Sequence, residues 1–133
     1  MMRQDLGYAQ VQYVHDKFGN TTSAKYMDVN GNPATWKERG YSAYENVYDE
    51  AGNWVESRYY DEQGNLTLRK DEGYAIIRNE YDEYGQRIAE HFYAAKEPLE
   101  PIESSKYHCV GFKYEYNERG ERKNTERIVL GDT

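Results

Sequence analysis

The feature that most constrains the fold of this chain is an internal repeat with a period of 33 residues. The segments GYAQVQYVHDKFGN, GYSAYENVYDEAGN and GYAIIRNEYDEYGQ begin at Gly7, Gly40 and Gly73. A fourth copy, HCVGFKYEYNERGE, begins 35 residues later at His108 and lacks the opening Gly-Tyr pair. Periods of about 20–50 residues are typical of proteins built from stacked units. We therefore predict a single repeat domain over residues 1–133, with units 7–39, 40–72 and 73–107 and a partial unit 108–133.

Each regular unit contains two related turns, of which Asp-Glu-x-Gly-Asn at residues 49–53 is a clear example. In such a hairpin turn the Asp accepts backbone N–H groups, and the Gly takes a left-handed conformation that other residues adopt at a cost. The second turn of the third unit is replaced by an irregular loop, residues 96–105, whose two prolines exclude a regular central strand. We expect positive φ at six turn glycines: Gly19, Gly31, Gly52, Gly64, Gly85 and Gly120.

Between the turns, polar and apolar residues alternate, which indicates antiparallel strands buried on one face. A recurring aromatic is expected inside on the second strand, and no segment has the apolar stripe of a helix. The fold class predicted is all-β, with tandem antiparallel β-hairpin repeats forming an elongated, twisted meander or a solenoid-like sheet. On the first strand of each unit, the side chains expected to point inward are Ala9, Val11, Tyr13, His15, Ser42, Tyr44, Asn46, Tyr48, Ala75, Ile77, Asn79, Tyr81, Val110, Phe112, Tyr114 and Tyr116. On the second strand, the side chains expected to point inward are Thr22, Ala24, Tyr26, Val55, Ser57, Tyr59, Ile88, Glu90 and Phe92. A short third strand is expected at Pro33 and Trp36 and again at Leu66 and Leu68.

Composition limits the partners of the chain. The formal charge of −7 and the pI near 5.0 disfavour nucleic acid, because binding to phosphates depends mostly on Lys and Arg. No apolar run approaches the roughly 18 residues of a membrane span, so membrane insertion is not expected. A single cysteine, Cys109, excludes an internal disulfide and a multi-thiolate metal site. It replaces the tyrosine that follows the opening glycine in the other copies, which indicates a structural role.

The turn sequences carry a family resemblance. Tyr-Asp-x-x-Gly stands at residues 48–52, 60–64 and 81–85, and Tyr-Asn-x-x-Gly stands at residues 116–120. In this pattern the chain resembles the YD, or RHS-type, repeat proteins. The resemblance implies a bacterial surface or secreted protein whose hairpins join into long sheets that touch protein or carbohydrate. The 33-residue period and the Gly-Tyr opening depart from that family, so a large toxin shell is not implied. A weaker likeness is to aromatic cell-wall-binding repeats.

Four aromatic residues are candidate binding residues because turn-proximal or outward positions would leave their rings free to stack on a ligand. These residues are Trp54, Tyr60, Tyr84 and Tyr93. The alternative is that the rings pack across strands, which is a common way to stabilise a sheet.

No constellation of residues indicates catalysis, a metal or a cofactor. Asp28, Asn30 and Asn32 alternate like calcium ligands, but no bidentate Glu ends that loop. The Asp-Glu pairs recur with the repeat, which favours turn chemistry over a catalytic pair. We expect a non-catalytic surface or secreted module that binds a protein or glycan. The alternative is a structural spacer within a longer array.

Overall fold

The computed structural model describes residues 6–129. Its eight strands form one antiparallel sheet in which each strand pairs with its neighbours in the chain. The sheet is open, and the described residues contain no helix. The predicted all-β hairpin meander is therefore confirmed. The strands are β1 (Gln10–His15), β2 (Thr21–Met27), β3 (Ala43–Tyr48), β4 (Trp54–Tyr60), β5 (Ile76–Tyr81), β6 (Arg87–Tyr93), β7 (Gly111–Tyr116) and β8 (Arg122–Ile128).

The four hairpins pair their strands in the same register. Within each hairpin the first residue of one strand lies opposite the last residue of the other, so equivalent residues in the sequence repeat occupy equivalent places in the sheet. Each unit is thus one hairpin followed by a connecting loop. The equivalent pairs are Gln10 with Met27, Ala43 with Tyr60, Ile76 with Tyr93, and Gly111 with Ile128.

Every hairpin contains a β-bulge near its turn. In the second hairpin the register shifts between Val47 and Tyr48, so that Tyr48 lies opposite Trp54 and Val55 is left without a partner. A bulge places two residues of one strand opposite one residue of the other and reverses the alternation beyond it. The prediction that Thr22, Val55 and Ile88 point inward is therefore wrong. Thr21, Trp54 and Arg87 take that place.

The Asp-x-x-Gly turns have the chemistry predicted for them. The Asp49 carboxylate accepts hydrogen bonds from the N–H groups of Ala51 and Asn53, at 3.0 and 2.8 Å. All six predicted turn glycines have φ between 78° and 89°, which confirms the left-handed conformation. The turns recur because a local pairing of Asp and Gly closes each one.

The connecting loops contain no third strand. Pro33 and Leu66 make only isolated bridges, to Met27 and Tyr60, so the predicted short strands are wrong. Single hydrogen bonds instead hold each loop beside the preceding strand. In the irregular third loop, the N–H of Ile102 still donates to Phe92 O at 3.2 Å. That loop therefore rejoins the pattern of the other units after its insertion.

The opening glycine of each unit closes a tight turn. The N–H of Gly73 donates to Arg69 O at 2.7 Å, and a Cβ on Gly73 would lie 2.4 Å from Ser105 Oγ. Both the positive φ of 81° and this close approach require glycine here. In the fourth copy, His108 makes the equivalent bond to Ser104 O and has φ 59°. His108 is exposed, so its side chain has room that Gly73 lacks.

The core is a continuous row of aromatic rings that crosses the strands on one face of the sheet. Neighbouring ring centroids lie 4.8 Å apart for Tyr41 and Tyr59, and 4.6 Å apart for Tyr74 and Phe92. Cys109, which is fully buried, belongs to the same cluster. We call this row the aromatic spine and the face that carries it the aromatic face. Its rings are Tyr8, Tyr26, Trp36, Tyr41, Tyr59, Tyr74, Phe92 and Tyr107.

The opposite face of the sheet is polar, as the alternation predicts. Its exposed residues include Gln12, Glu45, Arg78 and Lys113, which occupy equivalent positions in the four first strands. Water therefore solvates much of this face, on which Ile76 is nevertheless fully buried, while the spine buries the other face.

Candidate functional site

A groove opens on the aromatic face between the spine and the hairpin turns of the first two units. It encloses about 470 Å³. Tyr26, Trp36, Tyr41 and Tyr59 of the spine form one side of it. We call this site the aromatic groove and define it by the six residues that extend it beyond the spine. They are Tyr13, Tyr44, Asn46, Tyr48, Trp54 and Ser57.

The bulge brings Trp54 into the groove. Because Trp54 lies opposite Tyr48, its ring shares the aromatic face with Ser57. Trp54 Nε1 donates to Ser57 Oγ at 2.7 Å and to Glu56 O at 3.1 Å. Ser57 Oγ in turn donates to Asn46 Oδ1 at 2.5 Å. A chain of hydrogen bonds therefore fixes the indole and the amide before any ligand arrives.

A second set of bonds joins the groove across the two units. Asn46 Nδ2 and the Tyr48 hydroxyl both donate to Thr21 O, at 3.0 and 2.9 Å. The same contact recurs one unit later, where Asn79 Nδ2 and the Tyr81 hydroxyl donate to Trp54 O at 3.1 and 2.6 Å. The tyrosine that ends the first strand of a unit, Tyr48 or Tyr81, thus ties its unit to the preceding one.

The sequence alone did not reveal this tyrosine ladder. A signal was present, since the first unit carries His15 where later units carry Tyr48, Tyr81 and Tyr116. His15 belongs to β1, the first strand of the sheet, so no described strand lies on its outer side. The tyrosine is therefore found where a described neighbour offers a carbonyl, as with Tyr116, whose hydroxyl donates to Arg87 O at 2.6 Å.

The aromatic groove is electrically neutral. None of its described lining residues is Asp, Glu, Lys or Arg. Burial, together with the neighbouring Tyr13, Tyr59 and Tyr48, raises the pKa of Tyr44 above its ordinary value. That phenol therefore stays protonated at neutral pH. Tyr13 is 49% exposed and leaves one side of the groove accessible.

A larger cleft of about 780 Å³ lies at the second turns of the first two units, and its chemistry is different. Lys25, Glu45 and Glu62 are among its lining residues, so it is charged as well as wide. The Tyr60 hydroxyl donates to the Glu45 carboxylate there. Burial and this carboxylate raise the pKa of Tyr60 to about 12. The cleft lacks the group of facing rings that distinguishes the smaller aromatic groove.

The four predicted binding residues do not form one cluster. Trp54 lines the aromatic groove, while Tyr60 and Tyr93 lie on the polar face. Tyr84 is 80% exposed at the tip of the third hairpin. The Arg78 guanidinium lies 5.9 Å from the centroid of the Tyr93 ring. Of the four, only Trp54 therefore lines the aromatic groove, and the other residues of that groove were not among the predicted set.

The irregular loop, residues 96–105, contacts the polar face. Glu97 pairs with Arg58, and Glu56 accepts hydrogen bonds from Arg58 Nε at 2.8 Å and from Arg78 Nε at 2.6 Å. Burial alone would raise the pKa of Glu56, but the two arginines outweigh it and hold that pKa below its ordinary value. The loop thus takes part in an ion-pair network between the second and third units.

Metal binding finds no support in the side-chain geometry. Across residues 6–129, no group of three or more His, Cys, Asp or Glu side chains is placed to hold a metal ion. Asp28, the first residue of the calcium-like alternation, accepts hydrogen bonds from the N–H groups of Asn30 and Asn32 at 2.9 Å each. Its carboxylate therefore shapes a turn. The described part of the chain also contains no helix with the length and hydropathy to cross a membrane.

Comparison of the chain with protein-family models and with curated proteins finds no match. The geometry of the aromatic groove is therefore the main indication of function.

Proposed function

We propose that this chain is a non-catalytic binding module whose aromatic groove holds a segment of a neutral glycan. The observation that carries the proposal is the grouping of Tyr13, Tyr44, Tyr48 and Trp54 around the amide of Asn46, with no charged side chain in the described lining. Sites for small ligands typically combine apolar rings with a few fixed polar groups. The C–H faces of a sugar can stack on such rings, and its hydroxyls can bond the amide.

Preorganisation supports this assignment. The hydrogen bonds from Trp54 to Ser57 and from Ser57 to Asn46 hold the groove in one arrangement. A ligand then orders few side chains when it binds, which reduces the entropic cost of association. A charged ligand would find no partner of opposite sign among the described lining residues.

The resemblance of the Tyr-Asp turns to YD repeats supports a surface or secreted location, where polymeric glycans are accessible. The competing proposal is a structural spacer within a longer array. It is favoured by the spine and the tyrosine ladder, which use many aromatic side chains to hold units together.

Calorimetric titration with soluble neutral polysaccharides separates the two proposals. Tyr13 is the ring to remove, because it borders the groove and is half exposed. We expect Tyr13→Ala to weaken binding about tenfold, since one lost stacking ring is worth roughly 1.4 kcal/mol. Tyr84→Ala is the matched control, as it removes an exposed tyrosine far along the sheet and should bind like the parent chain.

Equal affinity of the Tyr13→Ala variant and the parent chain would contradict the assignment of the groove. Loss of binding in the Tyr84→Ala control would place the site at the hairpin tips instead. If none of the neutral polysaccharides binds the parent chain, the glycan proposal is wrong and the spacer is favoured.

A further inference from the structure

The two edges of the open sheet are chemically different. Strand β8 carries Arg122, Lys123, Glu126 and Arg127, whereas β1 has the sequence QVQYVH, without Asp, Glu, Lys or Arg. An edge strand presents unpaired N–H and C=O groups that another strand can bind, and proteins protect such edges with charged side chains. By this criterion β8 is protected and β1 is open.

Arg127 also ends the aromatic spine at the β8 edge. It occupies the position of Tyr26, Tyr59 and Phe92 in the earlier units. Its Nη2 donates to Tyr107 O, and to His108 O at 3.2 Å. An inward-pointing charged residue is one of the devices by which proteins protect an edge strand from further pairing.

The internal contacts of the sheet show what β1 is shaped to accept. By the repeat, β1 is equivalent to β3, β5 and β7, and each of those pairs with the second strand of the preceding unit. Each of these second strands, β2, β4 and β6, runs antiparallel to the first strand that it pairs with. Each carries a basic residue directly before an inward aromatic residue. The three pairs are Lys25-Tyr26, Arg58-Tyr59 and His91-Phe92.

Strand β1 retains apolar side chains that suit such a partner. Val11 packs against the core cluster, while Tyr13 and Val14 are 49% and 51% exposed. The charge of the chain, −7, favours a basic residue in an incoming strand.

We propose that β1 is an acceptor edge that binds, in trans, an antiparallel strand of a partner protein with a basic residue followed by an aromatic residue. Binding extends the sheet by one strand through main-chain hydrogen bonds, and the aromatic side chain of the partner lengthens the spine. This inference concerns the sheet edge and does not rest on glycan binding.

Amide hydrogen exchange of the full chain, measured by NMR with and without synthetic peptides, tests the proposal. The probe is a peptide with the β4 sequence WVESRYY, flanked by polar residues for solubility. At a free concentration ten times its Kd, the peptide should slow exchange of the β1 N–H groups that point away from β2 about tenfold, because only the peptide-free fraction of the protein exchanges. The β8 amides should be unaffected.

Three control peptides, one with the β8 sequence and two N-methylated forms of the β4 peptide, identify the mode of binding. The β8 sequence RKNTERI with the same flanks should give no protection of β1. The two methylated forms of the β4 peptide carry N-methyl groups on one or the other set of alternate amides. Each form keeps every side chain but cannot form one row of main-chain hydrogen bonds. We expect only one of the two forms to protect β1.

Several outcomes would overturn the proposal. Protection of β8 instead of β1, or equal protection by RKNTERI, would remove the distinction between the edges. Equal binding of both methylated forms would show that the peptide enters the aromatic groove through its side chains. Protection of β1 that rises with protein concentration alone would show that a second copy of this chain fills the edge, contrary to the partner proposed.

Discussion

At the scale of single residues, the least expected contributor to the core is Arg69. Its side chain is buried at the position that Trp36 occupies in the first unit. Arg69 Nη1 donates to the Tyr59 hydroxyl at 2.9 Å, and Nε and Nη2 donate to the Asp71 carboxylate at 2.9 and 2.8 Å. The guanidinium also lies 4.8 Å from the centroid of the Tyr59 ring. A planar cation thus covers the spine in one unit as an indole does in another.

We expect Arg69→Ala to lower the free energy of unfolding by about 2–3 kcal/mol, because it leaves the buried Tyr59 hydroxyl without its donor and the partly buried Asp71 carboxylate with Arg39 alone. Chemical denaturation of the parent and the variant measures this loss. Arg39→Ala is the matched control, since Arg39 lies 3.5 Å from the same carboxylate but is 42% exposed. That change should cost about 1 kcal/mol or less. Similar losses in the two variants would contradict the role given to Arg69.

What could be predicted for single residues depended on how local their interactions are. The turn glycines were predictable because Asp49 and Gly52 meet within one turn. Arg69 was not, since its partner Tyr59 lies ten residues away across a connecting loop and nothing in the local sequence marks the pair. The carbonyl partners of Tyr48 and Tyr81 could not be predicted for the same reason.

At the scale of strands, alternation predicted the two faces correctly up to the bulge. The spine residues Tyr26, Tyr59 and Phe92 are buried as expected. Beyond the bulge, one unpaired residue in each hairpin reverses the pattern, and no sequence signal marked where this would happen. The aromatic groove depends on that reversal because it turns Trp54 toward Asn46. The site was therefore less predictable than the fold.

Burial of the spine makes stability depend on alkaline pH. Burial, opposed by Arg69, raises the pKa of Tyr41 from 10.0 to about 12. The folded state therefore keeps a proton that the unfolded state loses above pH 10. This contribution is fully present below pH 10 and is lost as pH rises to 12, by roughly 2–3 kcal/mol for this ring alone.

Urea denaturation between pH 8 and pH 12, with tyrosinate absorbance as a second signal, measures the effect. Lysines titrate in the same range, so Tyr41→Phe serves as the control that isolates this ring. We expect the variant to lose less stability than the parent over the alkaline range. Parallel pH profiles for the two proteins would contradict the assignment.

At the scale of the whole molecule, the sheet is an array of units joined by equivalent contacts. The pairs Lys25 with Ala43 and Arg58 with Ile76 have the same register, and the tyrosine ladder repeats across both junctions. In such arrays the stability is close to a sum of unit and junction terms. The array was predictable because its period is visible in the sequence, whereas the difference between its edges depends on which strand ends the sheet.

The most direct test of this account is deletion of one whole period, residues 40–72, followed by measurement of the free energy of unfolding and its denaturant m-value. The deletion joins Arg39 to Gly73, which replaces an equivalent glycine, and brings β5 beside β2 in the register that β3 had. We expect a folded six-stranded sheet with a lower free energy of unfolding and an m-value reduced by about one quarter, in proportion to the surface removed. An unchanged free energy and m-value, or a shortened chain that does not fold, would contradict the account of equivalent stacked units.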